Sequence, residues 1–433
     1  MRAERGSALR VAAAALGCAA IALTAGCGGG TSDAIRIGVL GDCEGFFSAG
    51  YEQFIAGAEL PLVSRGARLR GASPSKGIEG ASVAGRKVEL VTQCVREFSR
   101  ASTVAALRLL VEKDGADIVV GPQGPADGLV IRDYAKRHPG VTFVYSGFDS
   151  PVTLVDPAPN VFRYRVTMAQ WGAGLGAYAY NQLGWRNAVT IGNIEPGPAG
   201  FIAEFCSLGG NIVERLWNDD LATLAREIPS KDVDGVFLPT SLYGTEDFVK
   251  VWARRHPDLS HWLVGGDGVL SQGAHDRRLL GVVASNPTPW APTRAWKTYT
   301  TKLSRSFPGF KTEPINALDS YDSVEPVVEA LEQVHGDTAR GERRLMRALA
   351  RLDFKSPEGP RPLDASHQAI GVSYLGQMAK DAHGKLYVRP IRTVRNVDQS
   401  FGGYFSAARV PSRTLACAHG NPPRWATSAG RSR

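Results

Sequence analysis

Short apolar runs alternate with longer amphipathic stretches along most of this chain, starting at Ile35. Unbroken apolar runs predict buried strands, and apolar residues spaced three and four apart predict helices. This alternation is typical of βαβ units, in which helices cover both faces of a parallel sheet. We therefore predict an α/β protein with parallel sheets.

The first set of units spans residues 35–162. Predicted strands are 35–40, 88–92, 117–122 and 142–145, and predicted helices are 51–64, 101–113 and 128–138. A loop with Pro151, Pro157 and Pro159 then leads into 160–165, which we interpret as a crossing to a second lobe.

The second set repeats the alternation. Its predicted helices are 168–183, 200–208 and 245–255, and its predicted strands are 187–191, 235–238, 262–266 and 282–284. The proline-rich segment 285–290 predicts a crossing back, followed by helices at 320–334 and 343–352 and by strands beyond about Gly371. We predict a first lobe of 35–162 plus 288–372, a second lobe of 163–287 plus 373–418, and a disordered tail at 419–433.

Composition supports a globular protein of two domains. The chain has 433 residues, 43% of them hydrophobic and 21% charged, and part of its formal charge of +8 comes from arginines at the two ends. Clustered basic residues with interleaved aromatics are absent from the sequence, which argues against nucleic-acid binding. Nucleophile elbows, phosphate-binding lysine loops and metal-ligand spacings are also absent, so we expect a non-enzymatic protein without cofactor or metal.

The N-terminus predicts export. Arg2 and Arg5 precede an apolar run, 11–25, that is too short for a permanent membrane span and is typical of a signal peptide. Its end, Leu23-Thr24-Ala25-Gly26-Cys27, resembles a bacterial lipobox, with the leucine one position further from the cysteine than usual. We expect residues 1–27 to be the signal peptide with its lipobox, Cys27 to carry the lipid, and residues 28–34 to form a flexible tether. An uncleaved anchor helix and cleavage nearer Cys18 are the alternatives.

Four cysteines remain in the exported chain, at positions 43, 94, 206 and 417. An even number in an oxidising compartment predicts disulfides, and four cysteines allow three pairings. We favour Cys43 with Cys94, because each follows a predicted parallel strand. Cys206 with Cys417 is then left by elimination.

Several strings in this order resemble the type I periplasmic-binding-protein family, in particular the branched-chain amino-acid (leucine-binding-protein-like) branch of ABC transporter receptors. They are 35–40, 88–92, 115–122, 160–163, 203–205 with Gly209-Gly210, 321–324, and 352–354 with 357–360. The resemblance implies two αβα lobes joined by hinge crossings and a small polar solute, such as an amino acid or amide, held between them by closure. It also implies permease and ATPase partners and an extracytoplasmic location. From the lipobox we expect an anchor to the cell membrane, and we expect a monomer. The alternative is a lipid-anchored sensing protein with the same fold.

Loops at the carboxyl ends of the predicted strands supply the candidate ligand contacts. In the first lobe they are Glu44, Phe46, Phe47, Gln123, Gly124, Ser146, Gly147, Phe148 and Asp149, and in the second lobe Glu195, Tyr243 and Asp267. Asp267 matches the position at which amino-acid receptors of this family place an acid against the ligand ammonium, although Asp between glycines is also a common turn residue. Glu195 as a solvated acid, Tyr243 as a packing residue and the phenylalanines as core residues remain open.

The sequence departs from the family in two of these loops. Amino-acid receptors usually place Ser or Thr hydroxyls there to hold a carboxylate, whereas this chain has 123–125 as Gln-Gly-Pro and 147–149 as Gly-Phe-Asp. Ser146 compensates only in part. A cationic, amide or hydroxylated solute therefore fits at least as well as a standard α-amino acid.

Overall fold

A computed structural model describes nine stretches of the chain: 34–96, 98–124, 128–148, 151–192, 196–218, 220–239, 244–271, 276–338 and 343–427. The predicted signal peptide, Cys27 and the tether up to Asp33 lie outside the described residues. Within those stretches, no helix combines the length and apolar character needed to cross a membrane.

The first stretch of chain builds one six-stranded sheet. The strands in this part of the chain are β1 Ile35–Glu44, β2 Arg68–Leu69, β3 Ile78–Glu79, β4 Ser82–Val83, β5 Arg86–Arg96, β6 Ile118–Val120, β7 Thr142–Val144 and β8 Val161–Phe162. Strands β2 and β3 form a separate pair, and the other six make up the sheet. Its helices are α1 Tyr51–Val63, α2 Arg100–Arg108 and α3 Gly128–Arg137. The order is β4-β5-β1-β6-β7-β8, with β1 parallel to both β5 and β6.

The chain then builds a second sheet. Its helices are α4 Met168–Trp171, α5 Leu175–Asn181, α6 Ala199–Ser207, α7 Leu221–Glu227, α8 Thr245–Trp252, α9 Leu259–Trp262 and α10 Asp267–Ser271. Its strands are β9 Asn187–Gly192, β10 Asn211–Trp217, β11 Gly235–Leu238, β12 Leu263–Gly266 and β13 Val283–Asn286. All five strands are parallel.

The last part of the chain contributes to both lobes. Its elements are α11 Arg294–Ser306, α12 Pro314–Gln333, α13 Arg343–Arg351, β14 Lys355–Ser356, β15 Gly359–Pro360, β16 Gly371–Lys380, β17 Leu386–Val397 and α14 Arg424–Thr427. Helix α12 packs on α1 of the first lobe, whereas β16 and β17 extend the second sheet by antiparallel pairing to β13. The chain therefore crosses between lobes three times, at 160–165, at 285–290 and at 357–370, which we call the first, second and third crossings.

Both sheets are covered on two faces. In the first lobe, Ile37 and Val39 of β1 pack with α1, α12 and α13, while Leu40 and Val119 pack with α2 and α3. In the second lobe, one core contains α5 and α6 and the other contains α7, α8 and α10. The prediction of two parallel-sheet αβα lobes is confirmed.

Both predicted disulfides are present. Cys43 and Cys94 lie on the neighbouring strands β1 and β5, with their Cα atoms 5.4 Å apart. Cys206 of α6 is bonded to Cys417 near the C-terminus, at a Cα distance of 5.3 Å. Each bond therefore lies within one lobe.

The C-terminal segment differs from the predicted disordered tail. Residues 419–427 reach the second lobe, where helix α14 places Trp425 in the core beside Phe401. The Trp425 indole N–H donates to the buried Glu204 carboxylate at 2.6 Å, and the Trp425 carbonyl accepts from Arg392 at 2.6 Å. A single aromatic residue in a basic, proline-containing stretch gave no periodic signal for this packing. Residues 428–433 lie outside the described residues.

Several further elements differ from the predictions. The helix predicted at 168–183 is two helices, because Gly174 between them has a left-handed φ of +95°. The Glu204 carboxylate accepts the N–H groups of Gly174 and Ala177 and so caps the start of the second helix. The edge strand β10 and the helix α11 were not predicted. Both leave much of their surface exposed, so their apolar patterns are sparse.

Candidate ligand-binding cleft

Three loops follow the carboxyl ends of the first-lobe strands β1, β6 and β7. The first follows β1, where Glu44 is exposed and pairs with Arg96 at 2.6 Å. Its carboxylate is therefore engaged at the end of the neighbouring strand β5. Phe46 and Phe47 come next, in a short helical turn that leads into α1.

Four aromatic rings form a continuous row, which we call the aromatic row: Phe46, Phe47, Phe148 and Trp171. Ring centroids are 5.2 Å apart between Phe46 and Phe47, 5.9 Å between Phe47 and Phe148, and 4.9 Å between Phe148 and Trp171. Trp171 ends α4 of the second lobe, so the row joins the lobes. The backbone connects them there too, because the Met168 N–H donates to the Phe148 carbonyl at 2.7 Å.

The loop after β6 is fixed by hydrogen bonds to other elements of the first lobe. Gly121 turns the chain with a φ of +95°, and a Cβ there would lie 2.3 Å from the Leu40 carbonyl oxygen, so only glycine fits. The backbone N–H groups of Gln123 and Gly124 both donate to Asp42 Oδ2 at 2.9 Å. The Gln123 side-chain amide donates to the Asp319 carboxylate of α12. Gln123 and Gly124 thus serve the loop's own structure.

The loop after β7 is similar. Ser146 is buried, and its hydroxyl lies 2.8 Å from the hydroxyl of Ser323 on α12. A Cβ on Gly147 would lie 2.1 Å from the Tyr145 hydroxyl oxygen, which explains the glycine. The loop therefore turns its hydroxyl toward α12 and contributes Phe148 to the aromatic row. Asp149 lies outside the described residues.

In the second lobe, Asp267 is the first residue of α10, directly after β12. It is partly exposed at the carboxyl end of the sheet, where parallel α/β folds place ligands. Glu195 and Tyr243 lie outside the described residues. Within the described stretches, no cluster of three or more His, Cys, Asp or Glu side chains is arranged to hold a metal ion.

A buried ionic network, the hinge network, lies where the three crossings meet α12. Arg165 of the first crossing pairs with Asp319 at 2.6 Å, Asp322 at 3.3 Å and Glu358 at 3.0 Å. Glu358 of the third crossing also pairs with Arg361 at 2.6 Å and accepts from the Thr288 hydroxyl of the second crossing at 2.6 Å. All three crossings are thus tied to one cluster.

Burial and charge act in opposite directions on the acids of the hinge network. Burial raises the pKa of Asp319 to about 6 and that of Asp322 to about 7, although Arg165 lowers both. Burial also disfavours the charged form of Glu358, but Arg165 and Arg361 together hold its pKa below the usual value. Asp319 and Asp322 are therefore easier to protonate than an exposed aspartate, whereas Glu358 is harder to protonate than an exposed glutamate.

Hydrogen bonds join the first and third crossings directly. Arg163 donates its backbone N–H to the His367 carbonyl, and its carbonyl accepts from the Ala369 N–H at 2.8 Å. Gln368 is buried between them, with its side-chain amide donating to the Arg165 carbonyl at 2.8 Å. This pairing fixes the two crossings side by side.

Sequence reasoning missed Trp171 and the hinge network. Trp171 follows Gln170, whose spacing from Thr167 is that of a capping box, a signal that locates the start of α4 but not the direction of the indole. Several members of the network lie in or next to the strings that carried the family resemblance, at 160–163, 321–324 and 357–360. Those strings therefore include residues of the hinge network as well as residues near the candidate ligand loops.

Comparisons with known proteins agree with this geometry. A family model described as periplasmic binding protein matches residues 34–383. The Leu/Ile/Val-binding protein homolog 6 of Brucella suis is 22% identical over 388 residues, covering 84% of this chain and 92% of that protein.

Solved structures share the fold. An ABC transporter substrate-binding protein from Sphaerobacter thermophilus superposes with a TM-score of 0.71 at 19% identity, covering 84% of this chain and 99% of the other. A solute-binding protein from Rhodopseudomonas palustris BisB5, in complex with 3,4-dihydroxybenzoic acid, gives 0.67 at 22% identity, with 84% and 98% covered. LivJ from Streptococcus pneumoniae, in complex with isoleucine, gives 0.62 at 19% identity, with 83% and 99% covered. This chain belongs to the periplasmic binding protein family.

Proposed function

We propose that this protein is the extracytoplasmic receptor of an ABC importer and captures a small solute bearing a polar group between its two lobes. The proposal rests on two αβα lobes joined by three crossings, each with loops or helix starts at the carboxyl edge of its sheet. Loops from β1, β6 and β7 of the first lobe and the start of α10 in the second follow the carboxyl ends of their sheets. Ligands of open α/β sheets bind at such edges.

Lobe closure would convert binding into a signal. A solute that contacts both lobes favours the closed arrangement by its extra contacts there, and excluding water strengthens its polar interactions. A permease that docks only on the closed form would then respond to occupied receptor. The lipid on Cys27 and the tether would keep the receptor beside its permease and ATPase partners, and we expect it to act as a monomer.

Binding and uptake together test this proposal. The purified protein is screened by thermal shift against amino acids, amides, polyamines, sugars and aromatic acids, because a ligand of the folded state raises its apparent stability. Hits are measured by calorimetry with Asp267→Ala and with Asp353→Ala, an exposed acid of the first lobe, as the matched control. We expect about a tenfold loss of affinity in the first variant only.

Deletion of the gene should abolish uptake of the solute that binds. Uptake that continues at the wild-type rate, despite tight binding in vitro, would contradict the role in import. It would favour a sensing function.

A further inference from the structure

Several polar groups of the first-lobe loops are already used within the protein. The N–H groups of Gln123 and Gly124 donate to Asp42, the Gln123 amide donates to Asp319, and Ser146 pairs with Ser323. These groups are therefore less available to a ligand. The described part of the first lobe instead presents aromatic rings there.

The exposed fraction of the side chain falls along the aromatic row from Phe46 to Phe148. Phe46 is 42% exposed, Phe47 is half-buried, and Phe148 is only 7% exposed against Trp171. The contacts are edge-to-face or tilted, with interplanar angles of 86°, 67° and 40°. Aromatic rings prefer such geometries at centroid distances of about 4.5–7 Å, so an incoming ring can extend the row with the same favourable geometry.

Trp171 adds a polar group to this apolar row. Its indole Nε1 is buried and has no hydrogen-bond partner in the structure as described. The residue is fixed in place, since its carbonyl accepts from the Ser373 hydroxyl at 3.0 Å and its ring rests on Phe148. A buried N–H without an acceptor is unfavourable, so a ligand oxygen that reaches it upon lobe opening and closure gains that interaction.

We propose that the captured solute is an aromatic compound whose ring packs on Phe47 and Phe148 and whose oxygen substituent accepts a hydrogen bond from Trp171 Nε1. The inference rests on the proposed function and narrows its solute class. An aliphatic amino acid gains only apolar contact from these rings, whereas an aromatic solute adds edge-to-face ring contacts.

Matched ligands separate aromatic recognition from simple apolar contact. Calorimetry on the purified protein compares 4-hydroxybenzoate and benzoate with cyclohexanecarboxylate, their saturated counterpart, and with isoleucine. We expect the aromatic acids to bind at least about tenfold more tightly than either aliphatic compound.

Variants then test the named residues. Phe148→Ala should weaken binding of the preferred aromatic acid about tenfold, and Phe47→Ala, whose ring is only half covered, provides the same test if Phe148→Ala fails to fold. Trp171→Phe keeps a ring but removes the N–H and should cost about fivefold. Trp290→Phe is the control, because that indole donates to the Tyr374 carbonyl away from the aromatic row.

The outcomes are distinct. Equal or tighter binding of cyclohexanecarboxylate or isoleucine, or unchanged affinity in both phenylalanine variants, would overturn the aromatic assignment and leave the importer role standing. Equal losses in Trp171→Phe and Trp290→Phe would overturn the role of the Trp171 N–H. No binding of any compound in the wider solute screen would count against both proposals.

Discussion

At the scale of single residues, Glu59 of α1 is the most unusual acid in the first lobe. It is fully buried, and neither carboxylate oxygen has a hydrogen-bond partner in the stretches that the structure describes. Burial, together with the nearby charge of Glu52, raises its pKa from 4.5 to about 8. Glu59 is therefore protonated in the folded protein at neutral pH.

This shift predicts how stability changes with pH. The folded state holds the Glu59 proton more tightly than the unfolded chain does. This proton therefore contributes to the free energy of unfolding in full below pH 4.5, and the contribution is lost as pH rises to about 8. Glu59→Gln removes the titration, so the free energy of unfolding of the variant relative to wild type should rise by about 4 kcal/mol between pH 5 and pH 9. Urea unfolding at pH 5 and pH 9 measures the difference.

The exposed Glu246 of α8 supplies the control. Glu246→Gln alters a carboxylate that pairs with Lys250 on the surface, and exposed pairs contribute little to stability. We expect little change in stability from this substitution. An equal gain in both variants would show that burial of Glu59 is not the cause.

The residues also show where sequence reasoning reached its limit. Phe46, Phe47 and Phe148 were predicted at strand ends because the order of elements fixes which loops share an edge. Their neighbour Trp171 lies in another lobe, and no local pattern records that contact. Gln123 and Ser146 were correctly placed on loops, but their partners on α12 are distant in sequence, so the direction of their side chains could not be predicted.

At the scale of elements, α14 is a short helix with a large effect. Its Trp425 fills the second-lobe core and donates to Glu204, which also accepts the N–H groups at the break between α4 and α5. Burial raises the pKa of Glu204, and these donors partly oppose the shift. One carboxylate therefore connects three helices.

Truncation tests this connection. A chain ending at Pro423 loses Trp425 and leaves Glu204 short of a donor, so we expect a loss of about 3 kcal/mol in the free energy of unfolding. A chain ending at Thr427 keeps α14 and should unfold like the wild type. If the two truncations unfold at the same urea concentration, the contact does not stabilise the lobe.

Element type was predictable wherever a strand or helix had a clear buried face. Strands β1, β6 and β7 are mostly apolar and largely buried, and they were placed nearly correctly from sequence. The start of α5 is capped by Glu204 from another helix, and no residue of the edge strand β10 is fully buried. Both features depend on tertiary contacts, which a local pattern does not encode.

At the scale of the whole molecule, the hinge network determines how the lobes are joined. Arg165→Met would leave Asp319, Asp322 and Glu358 buried without their shared cation, so we expect a loss of about 3–5 kcal/mol in the free energy of unfolding. The loss should shrink at pH 5, because the raised pKa values of Asp319 and Asp322 then favour their neutral forms. Denaturant unfolding at pH 5 and pH 8 provides the test.

Arg96→Met is the matched control, since it removes an exposed arginine paired with Glu44. We expect a cost below about 1 kcal/mol that does not depend on pH over this range. A similar cost for Arg165→Met would mean that the hinge network stabilises the fold no more than a surface pair.

Because the chain crosses between lobes three times, each lobe can complete its folding only after late segments of the chain are available. The first sheet needs α12 and α13, which end at Arg351, and the second needs β16, β17 and the bond to Cys417. Neither lobe is a continuous piece of chain, so a ribosome or a translocation channel releases no complete lobe until most residues have emerged. Long-range contacts of this kind slow folding and leave apolar surface open to aggregation meanwhile. Because each lobe is built from separated segments, the emerging chain needs protection from aggregation until its C-terminal part has been released.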